Sequence, residues 1–388
     1  MPIPKILRDL LGIPTASFVE QYILAYLEQA CSKLPGVSLQ SDRYGNLLAT
    51  YRNKPPKTTP VAFSAHMDHP GFVSIEMRDD RHVLADFRGW VESSYFLGSK
   101  VRFWSRDHWV SGTVVDILKE VDAYRMIGRT ARPEQVLVRV VGPVAPNSPG
   151  MWDLPEPLEA EGRVHARGCD DVAGVAALLA LLDRLSKSNA AAEVHCLFTR
   201  AEEVGFIGAI GAAKAHTIGK KTPIIAIETS KELANAKQGD GPILRVGDKS
   251  SVFTPALTNF CERVAKRLGE ERKEFMWQRK LMDGGTCEST AYLAYGYEAT
   301  GICVALANYH NMDTQRQKIA SESVHLRDWK NMVDWFEAIV LDPVGYEPAK
   351  ADSMRDDFDQ RFEKSLHLLT GKTAAPEKPA KRKRATVA

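Results

Sequence analysis

From His165 onward, short apolar runs alternate with segments of helical period, and that rhythm leaves few options for the fold. Residues 172–185 read as a helix, 194–199 as a strand, 205–215 as a helix and 223–227 as a strand. The order continues with a helix at 255–267, a strand at 275–278, a helix at 287–295, a strand at 301–306 and a closing helix at 324–340. Such alternation implies an α/β sandwich around a mostly parallel central sheet. Upstream, residues 6–32 read as one amphipathic helix, residues 37–51 as a hairpin turning at Tyr44-Gly45-Asn46, and PVAFSA (60–65) as a buried strand. Between 74 and 162 the texture changes to HVLADF, KVRFW, HWVSGTVVDIL and QVLVRVVG, punctuated by Gly and Pro. Those stretches predict a small antiparallel β-domain, barrel-like or sandwich, inserted into the α/β unit. The expected division is 1–73 with 163–345 as the α/β domain and 74–162 as the insertion. Residues 373–388, rich in Pro, Ala and Lys, read as a disordered basic tail.

Composition narrows the function classes. A chain of 388 residues is too long for one ordinary core, which suits a large domain with a smaller one. A formal net charge of +2 gives no global attraction to nucleic acid or membrane. The short run Lys381-Arg382-Lys383-Arg384 reads as a solvated stretch of the tail, so no nucleic-acid partner is expected. No apolar run is long enough to span a bilayer, and MPIPKILRDLLGIP carries charge where a signal peptide needs an apolar stretch. Six scattered cysteines with no CxxC pair fit reduced thiols, hence a cytoplasmic location.

Five short segments carry the chemistry, each after an apolar strand or loop: His66-Met67-Asp68, Asp170-Asp171, Glu202-Glu203, Glu228 and His310. Open α/β sheets gather ligands at the carboxyl ends of their strands, so these groups can converge. His66 alone is ordinarily a polar strand cap, but Asp68 two residues later can hold the second ring nitrogen, as metal-bound histidines require. His69 is a weaker candidate. Asp170 and Asp171 precede a helix and have an ordinary reading as an N-cap and a first-turn acid. That accounts for one aspartate; a bridging carboxylate would account for the other. Glu202 and Glu203 have an ordinary reading as a solvated helix start, yet the apolar Val204 and Phe206 argue for a packed segment. Adjacent carboxylates suit a metal ligand beside a free general base. Glu228 ends the apolar strand PIIAIE and needs a partner, either a metal or a basic side chain. Two imidazoles and several carboxylates without a cysteine suit two divalent ions, Zn²⁺ or Co²⁺ foremost and Mn²⁺ as an alternative.

The ordered set H-x-D, D-D-x-x-G, E-E, a strand-ending acid and a late His resembles the co-catalytic metallopeptidases of the aminopeptidase/carboxypeptidase clan. Within the clan the chain is most similar to metallopeptidase family 42, the tetrahedral and glutamyl aminopeptidases. HMDHPGF, GCDDVAGVAALL, AEEVGFIGA, GGTCESTA and YHNMD occupy that family's motif positions, and the likeness runs from about Leu7 to Leu341. It implies an aminopeptidase acting on peptides, with His66, Asp170, Glu203, Glu228 and His310 as metal ligands. Asp170 would bridge the ions and be followed by a cis peptide, and Glu202 would be the general base, with Asp68 supporting the catalytic set. His69 stands where the family usually has Glu, Val172 where it has Arg, Glu228 where it has Asp, and Asp313 where Glu is typical. A carboxypeptidase, dipeptidase or N-acyl amino acid deacylase of the same clan is the alternative, and a non-catalytic metal-binding assembly protein the next. The large insertion between His66 and Asp170 favours the aminopeptidase. Relatives use this insertion to form dimers and hollow tetrahedra, so self-association from dimer to dodecamer is implied. Trp90, Tyr95, Phe96 and Trp104 could provide apolar surface for it or fill the insertion's own core; the residues alone leave both open.

Overall fold

The computed structural model describes residues 2–55, 58–121, 131–348 and 353–370. Helices α1 (Lys5–Leu11) and α2 (Gln21–Cys31) precede strands β1 (Val37–Ser41), β2 (Leu47–Asn53) and β3 (Val61–His66). Six strands follow: β4 (Gly71–Met77), β5 (His82–Arg88), β6 (Lys100–Ser105), β7 (His108–Val121), β8 (Arg132–Val140) and β9 (Pro149–Trp152). After β10 (Leu158–Ala160) and β11 (Arg163–Ala166) come α3 (Val172–Lys187), β12 (Ala192–Thr199), α4 (Ile207–Ala215), β13 (Ile224–Lys231) and β14 (Ile243–Asp248). The rest runs α5 (Pro255–Glu271), β15 (Gln278–Met282), α6 (Glu288–Ala294), β16 (Ala299–Ala307), β17 (Met312–Asp313), β18 (Lys318–Ile319), β19 (Glu322–His325), α7 (Leu326–Val340) and α8 (Ser353–Thr370).

The large sheet has the order β1-β2-β12-β3-β13-β16-β19-β11-β10, with β14 beside β16 and β15 beside β14. Its four central strands, β12, β3, β13 and β16, run parallel, while both edges are antiparallel. Buried on both faces, β3 reads as a continuous apolar run rather than an alternating one. Its alternate residues serve different layers. Val61, Phe63 and Ala65 join the core under α1, α2, α3, α5 and α7, whereas Ala62 joins the core under α4 and α6. The expected α/β sandwich is therefore present, with helices on both faces.

Strands β4-β5-β8-β7-β6-β9 close into a barrel, β4 pairing with β9. Its strands run from Gly71 to Trp152, while β10 and β11 belong to the large sheet. Phe72, Phe87, Phe96, Phe103 and Trp152 fill its interior, with Phe72 and Trp152 in edge-to-face contact at 4.9 Å. Tyr95 and Phe96 are buried in that core and Trp90 packs against it, so these aromatics serve the barrel itself rather than an apolar surface. Trp104 packs edge-on against Trp109 and against Tyr22 of α2.

Four sequence expectations need correction. The single helix over 6–32 is two helices, because Pro14 lacks an N–H and forces the residue before it out of helical conformation. The closing helix begins only at Leu326; Glu322–His325 pair with β11 as a strand, so sheet hydrogen bonding overrides the helical period there. The strand expected at 275–278 lies at Gln278–Met282 beside β14, a strand not anticipated. Helix α8 was not anticipated either. The basic tail falls outside the described residues, and among the described residues no helix is long and apolar enough to cross a membrane.

Candidate metal centre

Strand β3 ends at His66, β12 ends at Thr199 just before Glu202 and Glu203, and Glu228 lies within β13. Because these three strands are parallel neighbours, their carboxyl ends open on one side of the sheet. Asp170 arrives from the loop before α3, and His310 from the turn after β16. His66 Nε2 lies 3.5 Å from Asp170 Oδ1, 3.5 Å from Glu228 Oε1 and 3.9 Å from Glu202 Oε2. His310 Nε2 lies 3.3 Å from Glu203 Oε2 and 3.7 Å from Asp170 Oδ2. All six candidate groups thus converge, and Asp170 turns one oxygen to each imidazole.

Both imidazoles have their other nitrogen engaged. His310 Nδ1 donates to the carbonyl of Trp90, from the barrel, at 2.6 Å. His66 Nδ1 donates to the backbone carbonyl of Asp68 at 3.1 Å, with the Asp68 carboxylate farther away at 3.6 Å. Each Nε2 is therefore left facing the cluster, the orientation a metal-bound histidine needs. His310 is held at φ +53°, a left-handed conformation costing a β-carbon residue about 1–2 kcal/mol, so the surrounding contacts over-determine it.

Asp68 differs in detail from its expected part. Its carboxylate accepts the N–H groups of Glu202 at 2.9 Å and Glu203 at 3.2 Å, and the hydroxyl of Ser17 at 2.7 Å. It fastens the Glu202-Glu203 turn more directly than it holds the His66 ring. Asp171 does not cap α3 through its side chain. Its Oδ1 accepts from Thr229 Oγ1 at 2.8 Å, and the carboxylate presses on Gly174, where a β-carbon would sit 2.3 Å from Oδ2. The Asp170-Asp171 peptide is cis. His69 lies outside the cluster: Nδ1 bonds the carbonyl of Asp170 at 2.6 Å and Nε2 the side-chain oxygen of Asn311 at 3.1 Å. Asp313 points away, accepting N–H bonds from Gln315 and Arg316.

Three groups around the site were missed. Glu322, fully buried at the start of β19, accepts the N–H groups of Cys169 at 2.6 Å and Asp170 at 3.1 Å. Glu20, fully buried before α2, accepts the N–H of Ala201 at 3.0 Å and of Phe18 at 2.7 Å on one oxygen, and Arg200 Nε at 2.7 Å on the other. Arg245, on β14, lies 3.9 Å from Glu228 and donates to Ser230 at 3.2 Å. The contacts of Glu322 and Glu20 to the site span more than 150 residues of chain, so local sequence holds no signal for them.

So many acids cannot all ionise comfortably in one buried spot. Burial, with Glu228 and Glu203 close by, raises the Asp170 carboxyl well above its ordinary range. Burial likewise raises Glu202 well above it, aided by Glu228, Glu203 and Asp68 against the opposing pull of His66. Burial opposes charge on His66, but Glu202, Asp170, Asp68 and Glu228 overcome it and raise the ring well above the usual value. Burial also works against ionising Glu228, yet His66, Asp170 and Arg245 outweigh it and bring the carboxyl down to about 2. The arrangement is short of positive charge. Asp170 Oδ1, Asp171 Oδ2 and Glu203 Oε1 are buried with no hydrogen-bond partner. Oxygens of Asp170 and Glu203 lie with a His66 nitrogen inside 4.8 Å of one another, as do ligand atoms of His66, Glu202 and Glu228. Hard oxygens and imidazole nitrogens at such spacing fit divalent cations of the Zn²⁺, Co²⁺ or Mn²⁺ kind.

Residues 144–334 match the sequence profile described as M42 glutamyl aminopeptidase. A protein of Acetivibrio thermocellus named "Putative aminopeptidase" is 25% identical over 276 residues, spanning 66% of this chain and 76% of that protein. Among solved structures, the dodecamer PhTET1-12s superposes with a TM-score of 0.71 at 20% identity, over 88% of this chain and 100% of that one. The TET1 peptidase of Pyrococcus horikoshii, described as assembling into a tetrahedron or a large octahedral shell, gives 0.70 at 20% identity, over 87% and 99%. These structural likenesses concern the fold, and the sequence match covers the segment holding four of the five proposed ligands. Over residues 144–334 the chain is thus similar to the M42 glutamyl aminopeptidases, and its fold is that of the TET peptidases.

Proposed function

We propose that the protein is a metal-dependent aminopeptidase using two divalent ions and Glu202. One observation carries this reading: the two oxygens of Asp170 face two different imidazoles, at 3.5 Å and 3.7 Å, as a carboxylate shared between two ions would. His66 and Glu228 would hold one ion, Glu203 and His310 the other, with Asp170 common to both. Ions bound there supply Lewis-acid charge that makes water acidic and polarises a scissile carbonyl. Glu202 is anchored by its backbone to Asp68 and has its Oε2 3.9 Å from His66 Nε2. That carboxylate would take the proton from the attacking water and return it to the leaving amine. Its burial favours the protonated form, which suits the donor half of that cycle.

The units 1–73 with 163–345 and 74–162 serve as the catalytic and assembly parts of this proposal. The barrel of the second unit already reaches the site through the carbonyl of Trp90. Self-association, up to a dodecamer, is proposed from the assemblies of the structural neighbours. Six unpaired, buried cysteines support a reducing, cytoplasmic setting.

Chelation should abolish hydrolysis of aminoacyl arylamides, and Co²⁺ or Zn²⁺ should restore it. Glu202→Gln should keep metal and substrate binding while kcat falls about 10²–10⁴-fold. Near-normal turnover by that variant, or full activity without metal, would refute the mechanism.

A further inference from the structure

Asp170, Glu202, Glu203, Glu228 and His310 line part of a cavity of about 510 Å³. Much of the remaining wall comes from two short helices packed side by side, α4 and α6. Helix α4 and the residue before it contribute Phe206, Ile207 and Ile210; α6 and the residue after it contribute Ala291, Ala294 and Tyr295. The spacing 206/207/210 and 291/294/295 puts one stripe of each helix against the cavity. Ile207 remains 44% exposed and Tyr295 36% exposed. Packing does not account for apolar groups left facing a concave space, whereas a ligand that covers them does.

The charged residues on the wall sharpen the point. Among the described residues, the acids lining the cavity are Asp170, Glu202, Glu203 and Glu228, all in the cluster itself. Among the described residues, a substrate ammonium or guanidinium side chain would find no carboxylate on the wall outside that cluster. Of the bases, Arg245 is already set against Glu228 and Ser230, and Arg132 donates to the carbonyls of Phe87 and Pro133. That leaves Lys231 as the cation best able to greet an acidic side chain.

We infer that this wall is the subsite for the substrate's N-terminal side chain and selects large apolar residues such as Leu, Met and Phe. The inference rests on the aminopeptidase reading above and goes beyond it in naming the substrate class. Only Val204 and Gly205 separate Glu203 from Phe206 in the chain, and both also line the cavity, so the apolar wall begins beside the groups that would hold the reacting bond. Apolar subsites discriminate by about 10–200-fold for each methylene that is filled or missing.

The test is kcat/KM of the metal-loaded full chain on leucyl, phenylalanyl, glycyl, glutamyl and lysyl arylamides, for wild type and Ile207→Glu. Ile207 is exposed at the start of α4, where a glutamate is compatible with the helix terminus. Leucyl and phenylalanyl substrates should exceed glycyl by roughly tenfold or more, with lysyl slowest. Ile207→Glu should lower the leucyl value and raise the lysyl one. Preference for glutamyl or lysyl substrates in the wild type, or unchanged selectivity in Ile207→Glu, overturns the inference and leaves the aminopeptidase reading standing. Absence of turnover on every aminoacyl substrate overturns both.

Discussion

Replacing Glu20 by Gln tests how the Glu202-Glu203 turn is held. Glu20 has no exposed surface, and its carboxylate binds the N–H of Ala201 and the side chain of Arg200 at the same time. Ala201 sits at φ +50°, an unfavourable conformation that needs such support. In Glu20→Gln the amide can keep its oxygen toward the two backbone N–H groups, which turns its NH₂ toward Arg200 Nε, donor against donor. A charge-assisted bond is worth about 1.5–3 kcal/mol, and the Arg200 side chain is 27% exposed, so the lower half of that range applies. The thermal midpoint should therefore fall by a few degrees, while the fold persists. If Ala201 relaxes and carries Glu202 by about 1 Å, kcat should drop up to about 10²-fold. Metal content should stay unchanged, since Glu20 touches none of the proposed ligands directly. Calorimetry, metal analysis and steady-state kinetics on the same preparation separate these effects. A lowered midpoint with unaltered kcat would refute the positioning argument, and a loss of metal would show that the damage runs through the ligands instead.

Gly174→Ala should destabilise the fold by about 1–3 kcal/mol, against the usual helix preference for Ala, because the new β-carbon would meet both oxygens of the buried Asp171 carboxylate. A midpoint that rises would contradict that contact. His195, on β12, is pushed below the ordinary histidine pKa by burial, which outweighs Glu193 while Arg52 adds to the shift. The unfolded chain then binds a proton that the folded chain refuses, so stability is lost as pH falls from about 6.5 toward the folded value. His195→Gln should flatten the decline of the thermal midpoint between about pH 7 and pH 5, and an unchanged slope would exclude His195 as its source.

What could be read from the sequence depended on how far each interaction reaches along the chain. His66, Asp170, Glu203, Glu228 and His310 were legible because a polar group set against an apolar strand or helix is conspicuous in its own neighbourhood. The alternation after His165 likewise announced the parallel strands, since each βαβ unit is a local pattern. Glu322 and Glu20 escaped notice because acids near strand and helix ends are ordinary until their partners are known. Asp68 was noticed, but its principal bonds go to Glu202 and Glu203, residues more than 130 positions away. Pro14 marks the break after α1, although the leucines on either side of it keep helical spacing.

The position of β3 has a consequence for how the molecule assembles. That strand is synthesised early, yet its sheet neighbours β12 and β13 begin more than 120 residues later, after the whole barrel has been made. All of the barrel's strands lie between Gly71 and Trp152, so it can close while β3 still lacks its neighbours. His66 meets its partners only when both late strands have docked on either side of β3, and His310 arrives later still. A truncated or stalled chain can thus contain an intact barrel and none of the candidate metal cluster, so under the proposed mechanism hydrolysis would be a stringent reporter of complete folding.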